Sequence, residues 1–145
     1  DQIAFACASK HSGNYCVTAS VNKVDFLNPI EVGELVTLKA SINFAGRTSM
    51  VVGLRIESEN IRTGKTKHCN SSYFTMVAKD KDGKSALIPG IILTSKDEIR
   101  RFARSIKRQE EGRSRTSRFS SLIFKVEDYL HLFKTSNSKI EMLKN

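Results

Sequence analysis

No run of eighteen apolar residues occurs in this 145-residue chain, so no segment reads as a membrane span. No apolar run follows a basic start, so no secretory signal is legible. HxxxH pairs and Gly-rich nucleotide loops are missing too; Gly64 and Gly83 punctuate separate hairpins. The residue patterns therefore predict neither a metal site nor a bound cofactor. The three cysteines, Cys7, Cys16 and Cys69, are odd in number and lack zinc spacing. They read as buried free thiols of a reducing compartment, which predicts a cytoplasmic protein. The chain opens on Asp1 rather than Met, inside a helical pattern, and this predicts an upstream piece.

What is present fits one folded domain: 145 residues with 39 % hydrophobic content. The formal net charge of +9 predicts an anionic partner, without choosing among nucleic acid, membrane and phosphorylated metabolite. The charge is uneven. Residues 96–118 hold nine Lys or Arg against Asp97, Glu98, Glu110 and Glu111.

Gln2 to Lys10 reads as an Ala-rich helix with small or apolar side chains in most directions, the pattern of a helix that a sheet wraps. Gly13 suits a left-handed end. Tyr15 to Phe26 reads as a strand with Val17, Ala19 and Val21 on one face, then a bulge near Asn22-Lys23 that rephases Val24 and Phe26. Val36, Leu38, Ala40, Ile42 and Phe44 alternate cleanly and predict one face of a central strand. Met50 to Ile56 and His68 to Ala78 continue the sheet, and Ala86 to Ile88 reads as a short strand stopped by Pro89. From Ser95 the period turns helical. Ser95 and Glu98 form a capping box, and Ile99, Phe102, Ala103 and Ile106 form a stripe among basic residues. Gly112 to Ser121 reads as loose, and Leu122 to Phe133 as a further helix.

Asp1 suits a helix cap. It also suits a general base acting on water, with the free N–H groups of the same helix end holding an oxyanion. Arg47, Thr48 and Ser49 fit a plain hairpin turn, yet Arg beside two hydroxyls also suits phosphate and carbonyl recognition. His11, His68 and His131 have no informative partner. Asp80, Asp82 and Gly83 weakly echo a calcium loop but read better as a type I turn. The basic helix reads as a solvated face over an apolar stripe, since Tyr73 and Phe74 follow no RNA-binding pattern.

Taken in order, the Asp1 helix, HSGNYCVTASVNKVDFLNPIEVGELV, GRTSM, SENIRTGK, YFTMVAKDKDGK, IPG and EIRRFARSIKRQ resemble the hotdog-fold acyl-CoA thioesterases. The branch is that of the cytosolic acyl-CoA hydrolases and the small YciA-like enzymes. The resemblance covers residues 1–111 and leaves 112–145 as a basic, polar extension. It implies an α+β hotdog fold, a curved antiparallel sheet around a central helix, with the family's first strand and Gly-rich turn not in this sequence. It implies hydrolysis of acyl-CoA to free CoA and a carboxylic acid. Asp1 matches the catalytic carboxylate, with Thr48 and Ser49 positioning substrate from a partner subunit. Arg47, then Lys84 and Arg101, are the residues predicted to contact the CoA phosphates. The PI-x-x-G segment is Pro29 to Gly33, followed by Glu34, and GRTSM is followed by Val51 where many relatives carry an acid. CoA enters as part of the substrate. The implied assembly is a homodimer, three of which form a hexamer, with neither nucleic acid nor membrane as partner. Three other readings stay open: an inactive acyl-CoA-binding domain, a dehydratase on the same fold, and a basic RNA-binding module.

Overall fold

The computed structural model describes residues 1–118 together with Lys125, Glu127, Asp128 and His131. The helix expected over Leu122–Phe133 therefore lies outside the described residues, apart from those four. The elements are α1 (Gln2–Ser12), β1 (Tyr15–Phe26), β2 (Glu34–Ala45), β3 (Ser49–Asn60), β4 (Thr66–Lys79) and α2 (Lys96–Arg118). The strands form one antiparallel sheet in the order β1-β4-β3-β2. Among the described residues β2 is therefore an edge strand, not the central strand its alternation predicted, and β1 is the other edge. Clean alternation reports one buried face, which an edge strand has as well as a central one. The chain divides into two compact units, Asp1–Lys107 and Arg108–Asn145. Helix α2 runs to Arg118, so the loose segment expected from Gly112 is helical that far. A single glycine costs a helix about 1 kcal/mol, and the arginines that follow are good helix formers.

Helix α1 ends as its sequence predicts: Gly13 is left-handed, with φ 67°, and its N–H donates to the Ser9 carbonyl at 2.9 Å. Ala4, Ala8 and Ser12 are its buried stripe, at four-residue spacing. These small side chains let the curved sheet approach, and α1 contacts all four strands. Burial is one-sided: Ile3 and Phe5 stay exposed. The core between helix and sheet is Ala4, Ala8, Cys16, Met50, Val52, Leu54, Phe74, Met76 and Ala78.

The strand registers correct two expected faces. In β1 the pairing shifts twice, between Thr18 and Ser20 and between Val21 and Lys23. The expected bulge is the second; the first, at Ala19, turns Val21 onto the face of Thr18 and separates it from Val17. Residues directly opposite one another share a face. Val21, Phe74, Val52 and Ile42 thus form one apolar row across all four strands on the helix side. In β2 a shift between Ile42 and Phe44 leaves Asn43 as the extra residue. Phe44 thereby leaves the face of Ile42, pairs with Val51, and meets Phe102 of α2 at a ring separation of 5.4 Å. Val36 and Leu38 share the inner face yet remain 37 % and 44 % exposed. An 11-residue helix spans about 16 Å and a 12-residue strand about 40 Å, so α1 covers only part of the sheet.

The expected strand at Ala86–Ile88 is instead an extended segment. Ser85 makes a single bridge to Lys79, and the N–H groups of Ala86 and Ile88 donate to the carbonyls of Ala78 and Arg47, each at 2.9 Å. Pro89 follows, and its carbonyl accepts from His11 Nε2 at 2.9 Å. The capping box of α2 forms as expected: Ser95 Oγ accepts from Glu98 N–H at 3.2 Å, and Glu98 Oε2 accepts from Ser95 N–H at 3.1 Å.

Candidate active site

Asp1 occupies the cap position of α1, but its carboxylate makes no hydrogen bond to that helix. Thr18 Oγ1 donates to Asp1 Oδ1 instead, at 2.7 Å. The first helical bond is Phe5 N–H to the Asp1 carbonyl, at 2.9 Å. The N–H groups of Gln2, Ile3 and Ala4 come before it, and so lack acceptors within the helix. An anion acceptor and a cluster of amide donors therefore sit side by side at one helix end, where the dipole favours negative charge.

Thr18 also lies 3.4 Å from Met76 Sδ. It pairs with Met76, which pairs with Met50, and both methionines are fully buried. The polar pair thus stands at the rim of the sulfur-lined core, one step along the sheet from the apolar row of Val21, Phe74, Val52 and Ile42. Val17 and Phe44 face away from that row, for the reasons of register given above.

The turn between β2 and β3 is closed by a bond from Gly46 N–H to the Ser49 carbonyl, at 2.8 Å. Its backbone is fixed from outside as well, since the Arg47 carbonyl accepts from Ile88 and the Thr48 carbonyl accepts from Ala78 at 3.0 Å. Arg47 projects into solvent; Thr48 and Ser49 are half-buried. Within one chain these residues do not reach Asp1. Ser49 begins β3, and β4 separates it from Thr18's strand, a gap of about 10 Å at two strand spacings.

Arg101 lines a cleft of about 340 Å3 at the β2 edge, with His11, Ser41, Ile42, Ile92 and Glu98. Glu98 is held below the usual carboxylate range by donors from Thr94, backbone and hydroxyl, and by the Ser95 N–H. Arg47 and Lys84 do not line this cleft. Lys84 closes the hairpin in which Asp80 Oδ1 accepts from the N–H groups of Asp82 and Lys84, at 2.9 Å and 2.8 Å. Of the three predicted phosphate contacts, only Arg101 therefore lines the cleft. Among the described residues, no group of three His, Cys, Asp or Glu side chains is placed to hold a metal ion. No described helix is long and apolar enough to cross a membrane.

Thr18 is the partner of Asp1 that sequence reasoning missed. Its only signal is a hydroxyl in an otherwise apolar strand start; the bulge at Ala19 that sets its surroundings is invisible until β1 is paired with β4.

A family model described as Thioesterase superfamily matches residues 1–65. Protein VdlD of Helicobacter pylori is 43 % identical over 110 residues, which are 76 % of this chain and 63 % of VdlD. The chain thus spans less than two thirds of that relative. The "uncharacterized acyl-CoA thioester hydrolase YkhA" of Bacillus subtilis is 32 % identical over 115 residues, covering 79 % of this chain and 67 % of YkhA. A crystal structure described as an apo-hexameric acyl-CoA thioesterase superposes with a TM-score of 0.77 at 35 % identity, covering 80 % of this chain and 74 % of that one.

Proposed function

The chain belongs to the hotdog-fold acyl-CoA thioesterase family, and from that premise we propose that it hydrolyses acyl-CoA thioesters to free CoA and a carboxylic acid. The observation that carries the reading is the Thr18–Asp1 bond of 2.7 Å. It turns the carboxylate away from its own helix and leaves the first amides of α1 free beside an apolar row.

In this reading the Asp1 carboxylate takes a proton from water as the water oxygen attacks the thioester carbon. The N–H groups of Gln2, Ile3 and Ala4 hold the oxyanion that forms. The carbon–sulfur bond then breaks, the thiolate takes the proton from Asp1, and the acid leaves. No metal or separate cofactor takes part. Thr48 and Ser49 act from the neighbouring subunit and position the acyl-pantetheine end. Arg47, with Lys84 and Arg101, meets the phosphates of CoA across subunits.

The assembly is a homodimer, three of which make a hexamer. Two sheet edges that are unpaired among the described residues, and the hexameric state of a similar thioesterase, support this. A cytoplasmic location fits the three free thiols.

Release of free thiol from a panel of acyl-CoA substrates tests the activity and reports chain length. Asp1→Asn should lower kcat by about 10²-fold or more with the fold intact. Near-normal turnover in that variant removes Asp1 from the mechanism.

A further inference from the structure

The first three turns of α2 carry a row of cations that the proposed chemistry does not use. Lys96, Arg100, Arg104 and Lys107 are all exposed. Their spacing of four, four and three places them within about 80° of one another, along about 16 Å of helix. Arg101 lies outside this row and faces the cleft. Only Arg100 has a carboxylate at ion-pair distance among the described residues, Asp97 at 2.9 Å, in an exposed pair that holds little energy. Beside the row on the helix surface lie Ile99, 53 % exposed, and the exposed Ala103. Phe102 is turned the other way, onto Phe44, so among the described residues no aromatic ring accompanies the cations.

We infer that this face of α2 docks the protein on an anionic phospholipid surface. A straight cation row meets lipid phosphates spread in a plane, and an exposed isoleucine along its border is suited to the headgroup–acyl boundary. Single-stranded nucleic acid fits less well, because such sites alternate cations with aromatic platforms, and the described residues of this face supply none. The inference departs from the expectation of no membrane partner. It takes from the proposed activity only the amphiphilic nature of the substrate, whose acyl chain partitions into bilayers.

Sedimentation of the full chain with vesicles tests it. Phosphatidylcholine vesicles should leave the protein in solution, and vesicles one third phosphatidylglycerol should bind it, with binding lost at high salt. The triple variant Arg100→Gln, Arg104→Gln, Lys107→Gln should weaken binding by about 10²-fold, at about fivefold per charge. Ile99→Ser keeps every charge and should also weaken it. Equal binding to neutral vesicles overturns the inference, as does anionic binding unaffected by the triple variant. Triple-sensitive binding to single-stranded RNA without vesicle binding overturns it in favour of a nucleic-acid surface. Vesicle binding is read without turnover, so its failure is distinct from failure of the thioesterase reading. The triple variant should hydrolyse a short-chain, fully soluble acyl-CoA at the unaltered rate.

Discussion

The Thr18 hydroxyl and the Asp1 carboxylate, seventeen residues apart, meet at 2.7 Å across the junction of α1 and β1. This bond orients the carboxylate from a rigid strand rather than from the helix end that carries it. Thr18→Val keeps the shape and removes the donor. It should lower kcat about tenfold, the scale of a lost hydrogen bond to a charged group, with little change in KM. Thr18→Ser should restore most of the rate. Steady-state kinetics on the three proteins decides, and wild-type kcat in Thr18→Val would dismiss the positioning role.

Arg47 projects from a turn whose backbone is held at both Arg47 and Thr48. Arg47→Gln should therefore leave the turn in place and act through charge alone. The expected result is a raised KM for acyl-CoA and a shallower dependence of KM on salt. An unaltered KM at low ionic strength would remove Arg47 from CoA binding.

Glu57 lies between Lys39 and Arg55, which hold its carboxyl at about 2, well below the ordinary 4.5. A depressed carboxylate stabilises the fold above its unfolded value, and that contribution is lost as pH falls from about 4.5 through about 2. Glu57→Gln should thus be less stable than wild type near neutrality, with the difference closing over that acid window. Melting midpoints against pH measure it, and a gap that persists at the acid end would contradict the cause given.

Gly53 sits in central β3, where an added Cβ would overlap the Asn43 carboxamide. Asn43 is buried and further held by Ser41, whose hydroxyl donates to Asn43 Oδ1 at 3.0 Å. Gly53→Ala should cost about 1–3 kcal/mol, as overpacking does. Asn43→Ala in the same chain should recover part of it. Urea denaturation of the single and double variants reads both.

The sequence makes some of this architecture legible because certain signals are complete within a few residues. Gly13 ends α1, and Ser95 with Glu98 opens α2; each device closes on itself and needs no distant partner. The alternation from Val36 to Ile42 likewise locates β2. The bulges at Ala19 and Asn43 belong to a different class. A bulge is a mismatch between two strands, so its position depends on β4 in one case and β3 in the other. That dependence hid the turn of Phe44 toward α2 and the isolation of Val17 from Val21. It also hid Thr18 as the partner of Asp1. Asp1 itself could be marked as a candidate because a carboxylate at a helix start is a local pattern. The Ala86–Ile88 segment looks like a strand by composition, but its two N–H bonds go to separate elements, Ala78 of β4 and Arg47 of the turn, and build no ladder.

The small-residue stripe of α1 fixes a length as well as a contact. Ala4, Ala8 and Ser12 set how close the helix axis comes to the sheet, and Asp1 rides at the end of that axis. Ala8 lies about 10 Å along the helix from Asp1, at 1.5 Å per residue. A leucine there would lift the rod and swing its tip away from Thr18, loosening a bond it never touches. The side chains beneath the middle of the helix therefore act as a spacer gauge for the Thr18–Asp1 pair, and the geometry of that pair becomes heritable through positions that touch neither residue.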